Sequence, residues 1–595
     1  MDEHALREAV ADVKAGRLGR RAFVRALAAL GVTAPLALEM LSAAGVAAQP
    51  KAPAPAPARR GGGGALRLLW WQAPTLLNPH FAPGTKDSDA SRVVHEPLVS
   101  IDPDGNLLPV LAAGIPSVEA GTLDRGGRWV LWRLEKNVAW HDGTPFTAAD
   151  VVFNWEYAAD PATAAVTHGN YRDVARMERI DDHAVKVVFK DPSPFWYRTA
   201  LDQQIPAHLH RRWKGQRARE APENLKPVGT GPYRLVEFRP GDTARYDINA
   251  KYHVANRPFF DHVDLKGGGD AVSAARAVVQ TGEFDFAWNI QVEDDMLRRL
   301  ERGGKGRIDF VPSGSVEFIQ LNQTDPLREV DGERSSVKAP HPILTDANVA
   351  AALRLLVDRQ AVHEQIYGRQ GTPTGNMINM PARYRSPNTR WEFSVERAGQ
   401  LLDEAGWTRG KDGIRAKGGR RLRLVYQTST NAPRQKTQAI VKQAATRAGI
   451  ELELRAITPS VFFSSDPGNQ DTIGRFTADL QMFTQQMGAP DPQGFMEQFC
   501  SWEVPSKANH WSRNNHTRWR SAEFDALWNA AEREMDPVVR ARHFIKMNDL
   551  VVQQVVVIPI IWRNLVQAVG ARLRNVEISG WDSNLSRVAY WSRER

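Results

Sequence analysis

The chain has 595 residues, 42% of them hydrophobic and 24% charged, with a formal net charge of +9. That length exceeds what one hydrophobic core of ordinary size organises, so two or three lobes are expected. The basic residues are scattered and not gathered into one run, which argues against a nucleic-acid partner, and a single cysteine, Cys500, excludes an internal disulfide.

The N-terminus reads as an address. Arg20, Arg21 and Phe23 precede an apolar run at 26–44 that Glu39 interrupts; a charge at bilayer depth costs several kcal/mol, so cleavage is expected in place of anchoring. The arginine pair resembles a twin-arginine export signal, with Gly19 where Ser or Thr is usual. Val46, Ala47 and Ala48 suit a signal peptidase, which places the signal at 1–48 and the mature start at Gln49. Pro and Ala alternate after it and four glycines follow, so 49–64 reads as a linker with too little to bury.

Residues 66–71 read as a buried first strand, turned by Leu76, Leu77, Asn78 and Pro79, with a short helix expected at 91–98. Val130, Trp132 and Leu134 alternate with polar or outward positions, the period of a half-buried strand. A turn follows at 141–145. Thr147 and Asp150 then form a capping box ahead of Val151, Val152 and Phe153, so a helix starts there. Strands are expected at 184–190 and 233–238, the second fed by a glycine turn, Gly229-Thr230-Gly231, that lacks the spacing of a phosphate-binding loop.

Farther on, 318–322 reads as a strand. Asp346 caps a helix carrying Val349, Leu353, Leu356 and Val357, and Ser394 caps another over 395–405 that Gly406 ends. A strand at 421–427, a helix at 433–448 and a strand at 450–457 make a βαβ unit, which implies a parallel pair. Asp536 and Pro537 start a last long helix toward 553, before a buried strand at 555–561.

The run 136–153, KNVAWHDGTPFTAADVVF, resembles the signature of the extracytoplasmic solute-binding proteins of family 5, the dipeptide, oligopeptide and nickel binders of ABC importers. The Leu77-Asn78-Pro79 turn, PVGTGPY at 227–233, Asn249 with Tyr252, Arg257-Pro258, Asp261 with Asp264 and VVQTGEFD at 278–285 continue the likeness in order. It implies an α/β, two-lobed periplasmic-binding-protein fold of the class II type, with mixed sheets, an extra subdomain in the first lobe and a hinge. Lobe I is then expected over 65–313 with a subdomain inserted at about 100–227, lobe II over 314–556, and a return to lobe I over 557–595. The chain is expected to cross between lobes near 313–318 and 553–562. The implied function is capture of a peptide or similar small polar organic solute by hinge closure, in the periplasm, with ABC permease subunits and their ATPases as partners. A monomer without cofactor, metal or nucleic acid is expected.

No catalytic constellation is present: the sequence lacks G-x-S-x-G, H-E-x-x-H and C-x-x-C. A nickel or metallophore binder is the rival reading and a periplasmic hydrolase a weaker one. His208 with His210, and Cys500 with His510 and His516, have ligand chemistry suited to a metal but match no common spacing. The resemblance instead places a ligand loop at 481–492, with Phe483, Gln485, Gln486, Met487, Gly488 and Asp491 as candidates. Peptide binders of the family carry an aspartate for the peptide ammonium where this chain has Gly488. That departure shifts the expected solute toward blocked or cyclic peptides, opines, sugars or other polar compounds, with Gln485 and Gln486 bonding neutral groups. Pro83, Gly84 and Thr85 align with the loop that lines a bound peptide, and Trp502 and Trp511 are candidate walls.

Overall fold

Strand β1 (Ala65–Trp70) is apolar and largely buried apart from the exposed Arg67, and it lies between two parallel neighbours at the centre of the first lobe. The computed structural model describes residues 59–594 apart from 83, 465 and 467, together with residues 9, 12, 13, 18 and 23. The twin-arginine pattern, the apolar run, most of the linker and Pro83 lie outside the described residues. Among the described residues no helix is long and apolar enough to cross a membrane.

The first helix, α1, spans Thr85–Ser91, not 91–98. Its sequence, TKDSDAS, has no apolar period, and tertiary bonds build it instead. Asp87 accepts from the Thr75 amide at 2.6 Å, and Asp89 accepts from Trp288 Nε1 at 2.8 Å and from Asn584.

An inserted subdomain follows. Strand β2 (Trp129–Arg133) leads into α2 (Ala148–Ala159), which starts on the expected capping box, the Thr147 amide donating to Asp150 at 2.9 Å. With β3 (Val174–Asp181) and β4 (Ala184–Phe189), β2 forms a three-stranded antiparallel sheet in the order β2-β4-β3. Trp132, Trp140, Phe146, Val151 and Val185 fill its core. The signature stretch is therefore scaffold.

Lobe I resumes with β5 (Tyr233–Arg239), β6 (Thr243–Ile248), β7 (His262–Gly267) and β8 (Phe286–Ala287). The glycine turn before β5 serves a close approach: the Gly231 amide donates to the Val94 carbonyl at 2.8 Å, and a Cβ on Gly229 would lie 1.9 Å from that oxygen.

Strand β9 (Gly306–Leu321) carries the chain into lobe II. There α3 (Ala347–Leu355), α4 (Val395–Glu404), β10 (Arg423–Ser429), α5 (Ala432–Ala448) and β11 (Glu451–Ile457) follow, β10 and β11 pairing in parallel as the βαβ pattern requires. Asp346, Ser394 and Asp536 cap their helices through side-chain oxygens. The lobe is completed by β12 (Leu480–Met487), the short α6 (Gln493–Glu497), α7 (Ala522–Arg533) and α8 (Pro537–Gln553), before β13 (Val557–Gly570) returns.

Ten strands line up in one sheet as β11-β10-β12-β9-β13-β8-β1-β7-β6-β5, and Gly371–Pro373 pairs with β13 as its eleventh strand. The central pair, β9 and β13, is antiparallel and long enough to belong to both lobes. Its register shifts between Pro312 and Ser315, opposite Asn564 and Arg563. Such a bulge breaks the ladder and bends the strands, so the sheet is interrupted where the lobes meet.

Two boundaries move. The expected return to lobe I at 557 falls at 564, because residues 557–563 pair with the lobe II half of β9. The glycines at 61–64 are part of lobe I and not linker. Gly61 and Gly63 donate to the carbonyls of Pro258 and Phe259, Gly62 and Gly64 donate to the Asp261 carboxylate, and a Cβ on Gly63 would lie 2.4 Å from the Phe259 ring. Glycine is used here for close packing on a neighbour.

Candidate functional site

The C-terminal ends of β10 and β12 in lobe II, and of β1 and β8 in lobe I, converge on the bent middle of the sheet. In open α/β sheets ligands bind outside such strand ends. The lobes meet on both flanks of this line. On one flank Asn431, the cap of α5, donates to Gln291 Oε1 at 2.7 Å, and Lys436 pairs with Glu293 at 2.8 Å. On the other, Arg172 of the inserted subdomain pairs with Glu497, Arg533 lies 3.1 Å from Asp191, and the Arg540 guanidinium stacks on Phe195 at 3.9 Å.

Behind the strand ends sits a buried charge cluster. Glu317 on β9 is fully buried and accepts from Arg434 Nε at 2.8 Å and from Thr484, with Arg563 Nη1 at 3.4 Å. Burial alone would raise the Glu317 carboxyl, but Arg434 and Arg563 outweigh it and hold it below its ordinary range. Two guanidinium groups thus share one carboxylate next to the hinge bulge, and this fixes β9, β12, β13 and α5 to one another.

The ligand loop leaves the end of β12. Gln485 and Gln486 are half-buried there, and Gln486 Nε2 lies 3.4 Å from the Gly580 carbonyl. Phe483 and Met487 lie on the face of β12 opposite Gln486: both are buried in the lobe II core, Phe483 against Phe318, Phe462, Phe463 and His516. Gly488 is exposed, and a Cβ added to it would meet no atom within 4 Å. Neither close packing nor a left-handed backbone demands a glycine at that position.

Asp491 is engaged. Arg540 grips its carboxylate with both terminal nitrogens, Nη2 at 2.9 Å, while Tyr384 OH lies at 3.3 Å and the Gln493 amide donates at 3.0 Å. Both members of this ion pair are more than nine-tenths buried. No carboxylate of the loop is therefore left to meet a cation from outside.

Between the inserted subdomain and lobe II lies a cavity of about 450 Å³. His168, Arg172, Asp173, Lys190 and Asp191 line one side, and Trp502, Arg513, Trp528, Glu532 and Arg533 the other. Trp502, 39% exposed, packs edge-on to Trp528 at 5.4 Å. Trp511 lies elsewhere, under the Arg475 guanidinium and beside Gly474. Gly84 and Thr85 sit at the start of α1 in lobe I.

The charged wall of the cavity escapes sequence reading, since Arg172 and Glu497 are 325 positions apart and neither belongs to a motif. Burial, with Asp173 hydrogen-bonded to it, pushes the Glu532 carboxyl well above its ordinary value. Gln493 donates to the same carboxyl, which ties the wall to the helix that follows the ligand loop.

The metal candidates do not come together. His208 pairs with Asp142 at 2.7 Å, while His210 is buried against Tyr157. Cys500 is buried in the lobe II core, and that burial pushes its thiol far up. Among the described residues no three His, Cys, Asp or Glu side chains converge as a metal site.

Residues 107–506 match the family model described as bacterial extracellular solute-binding proteins, family 5 middle. The glutathione-binding protein GsiB of Escherichia coli strain K12 is 23% identical over 502 residues, covering 83% of this chain and 88% of that protein. The oligopeptide-binding protein AppA of Bacillus subtilis strain 168 is 26% identical over 411 residues, 67% of this chain and 70% of that one. Among solved structures, NikZ of Campylobacter jejuni with Ni(L-His) superposes with a TM-score of 0.76 at 18% identity, covering 89% of this chain and 99% of that chain. Bacillus subtilis AppA with a nonapeptide gives 0.76 at 20% identity, covering 90% and 100%. The family model spans most of the chain and the two-lobed fold agrees with it: this chain belongs to the bacterial extracellular solute-binding proteins of family 5, and its work is binding, not catalysis.

Proposed function

We propose that this protein is the periplasmic binding component of an ABC importer, which closes two lobes over a peptide-like solute and presents it to permease subunits driven by ATPases. The observation that carries this reading is the lobe boundary itself: a central strand pair whose ladder breaks where the lobes join, and a cavity walled by the inserted subdomain and lobe II. Closure needs no covalent chemistry, and a monomer suffices. Export through the twin-arginine pattern, with cleavage before Gln49, belongs to the same reading.

The solute class follows from the ligand loop. Relatives of this fold are named for glutathione, oligopeptides and nickel–histidine, and a further neighbour, AgaA, is in complex with agropinic acid, so the fold alone does not choose among them. Here Gly488 supplies no charge and Asp491 is neutralised by Arg540, so the loop offers a free ammonium nothing to pair with. Gln485 and Gln486 can bond neutral amides or hydroxyls from the half-buried end of β12. In this reading Gly84 and Thr85 line the solute from lobe I and Trp502 from lobe II, while Phe483, Met487 and Asp491 shape the loop without touching the solute; Trp511, which packs apart from the cavity, is assigned no contact.

Native mass spectrometry of the protein purified from its host's periplasm tests this. A retained organic solute of peptide-like mass without a free amino terminus is expected. Retention of nickel in its place would overturn the organic-solute reading, and a retained peptide with a free amino terminus would overturn the inference from Gly488.

A further inference from the structure

We infer that Arg172 is a positioning residue for closure: with Arg533 and Lys436 it belongs to a set of ion pairs that draws the lobes together by charge, before any solute is held; this rests on the solute-binding reading above. Three pairs cross the lobe boundary on its flanks. Arg172 of the inserted subdomain meets Glu497 of α6, Arg533 of α7 meets Asp191 of the subdomain, and Lys436 of α5 meets Glu293 of lobe I. Among the described residues, none of these six side chains has an ion-pair partner in its own lobe. Opening therefore breaks all three pairs and leaves each charge to water. Arg369 also bridges to Asp294 and Glu301, but beside Gly371, which pairs with β13 at the bend, where opening moves atoms least.

The three pairs differ in worth. Lys436 and Arg533 are more than half exposed, and pairs so exposed shift an equilibrium by no more than about fivefold. The Arg172 side chain is 29% exposed and that of Glu497 12%, so this pair is the least screened of the three. The Arg172 guanidinium also lies over the Trp528 ring, 5.5 Å from its centroid, and 3.9 Å from Glu503. Glu503 already has Arg513 at 3.1 Å, so Glu497 is the carboxylate that depends on Arg172. Every ion pair and ring contact of the Arg172 side chain is thus made on the other lobe.

What Arg172 pulls on is the ligand loop. Pro490 lies against the subdomain, where a Cβ on Gly105 would be 3.4 Å from its ring. The Asp491 carboxylate accepts from the Gln493 amide at the start of α6, Trp528 donates to the Gln493 carbonyl at 3.1 Å, and Glu497 ends the helix. Residues 490–497 therefore carry both the loop and the closing contact, and a solute seated at Gln485 and Gln486 meets a loop already drawn toward the subdomain. Asp173 and Glu532 also meet across this boundary; two carboxyls attract only while one is protonated, so the measurements are made at one pH.

The test uses the full mature protein freed of solute, with NaCl as the probe and the distance between lobes read by single-molecule energy transfer. Labels sit at Lys136→Cys and Lys442→Cys, both exposed positions, in a Cys500→Ala background. A short-distance population is expected without solute at about 20 mM NaCl and is expected to shrink as NaCl rises to about 500 mM. Arg172→Met is expected to lower the closed-to-open ratio at low salt by about fivefold to tenfold. Glu497→Gln is expected to match it, and the double variant to lose no more than either single one, because the same pair is lost once. Melting temperatures equal to that of the wild type at high salt will show that the variants fold; if Arg172→Met does not, Glu497→Gln gives the same reading from the other lobe. Losses that add in the double variant, or a ratio that neither salt nor substitution moves, overturn the inference. So does a solute-free protein that is open at every salt concentration. None of these outcomes touches the solute-binding reading, which falls only if the protein from its host periplasm carries no solute.

Discussion

Replacing Glu317 with Gln tests how the hinge end of lobe II is held. The wild-type carboxylate is fully buried and faces Arg434 and Arg563, each itself about 95% buried. Gln preserves the shape and one acceptor oxygen but leaves two guanidinium groups without a counter-charge in a low-dielectric interior. Breaking a buried ion pair by removing one partner costs about 3–5 kcal/mol, and the second arginine places this site toward the upper end. Because the folded Glu317 carboxyl is held below its ordinary value, its contribution is present above that value and fades as pH falls through the folded one. Urea titration at pH 7, followed by tryptophan fluorescence, reads the loss. Lowering the pH toward 3 is expected to shrink the gap between wild type and Glu317→Gln, since the wild type then loses the same charge. A loss below about 1 kcal/mol at pH 7 would refute the reasoning, because it would mean the arginines are solvated or paired in another way. Adding Arg563→Met to Glu317→Gln is expected to recover part of the loss by removing one of the orphaned charges.

Other expectations are more local. Gly488→Asp introduces a side chain into open space, so stability is expected to change by no more than about 0.5 kcal/mol, while affinity for free-amino peptides rises roughly tenfold in calorimetry; no gain would mean the loop does not face the solute. Asp491→Asn strips Arg540 of its carboxylate and is expected to cost about 3 kcal/mol in urea titration, with weaker closure because Arg540 also stacks on Phe195 of the other lobe; a loss within about 0.5 kcal/mol would contradict a buried pair. Glu532 has a raised folded value, so its contribution is complete below the ordinary 4.5 and is lost as pH rises through the folded value. Glu532→Gln is therefore expected to flatten the alkaline fall of the melting temperature between pH 6 and 9, and an unchanged slope would show that the carboxyl is not held protonated.

The scaffold was largely legible because local chemistry dictates it. Thr147 with Asp150, Ser394 with Gly406 and Asp536 with Pro537 announce helix ends by hydrogen bonds that any tertiary setting preserves. The long hinge strands read short for an equally physical reason. Pro312 looks like a strand breaker in sequence, yet it sits at a register shift of β9 where the ladder needs no donor, and Pro559 sits beside the second shift. Helix α1 was misplaced because its residues are polar and its stability comes from Thr75 in the preceding loop and from Trp288 and Asn584, which sequence order puts far away. The cavity wall was invisible for the same reason: Arg172, Lys190, Glu497 and Glu532 are ordinary surface charges until the fold brings two lobes together. Phe483 and Met487 have the composition of a ligand wall, but the alternation of β12 turns them into the core.

The central claim is that the two lobes close over a solute. The measurement that tests it most directly is single-molecule energy transfer between labels at Lys136 in the inserted subdomain and Lys442 on α5, both exposed, each replaced by cysteine in a Cys500→Ala background. Titration with the solute released from the purified protein is expected to convert a broad, longer-distance population into one short-distance population, with the same midpoint as binding measured by calorimetry. A solute that binds by calorimetry while leaving the distance distribution unchanged would contradict closure as the mechanism.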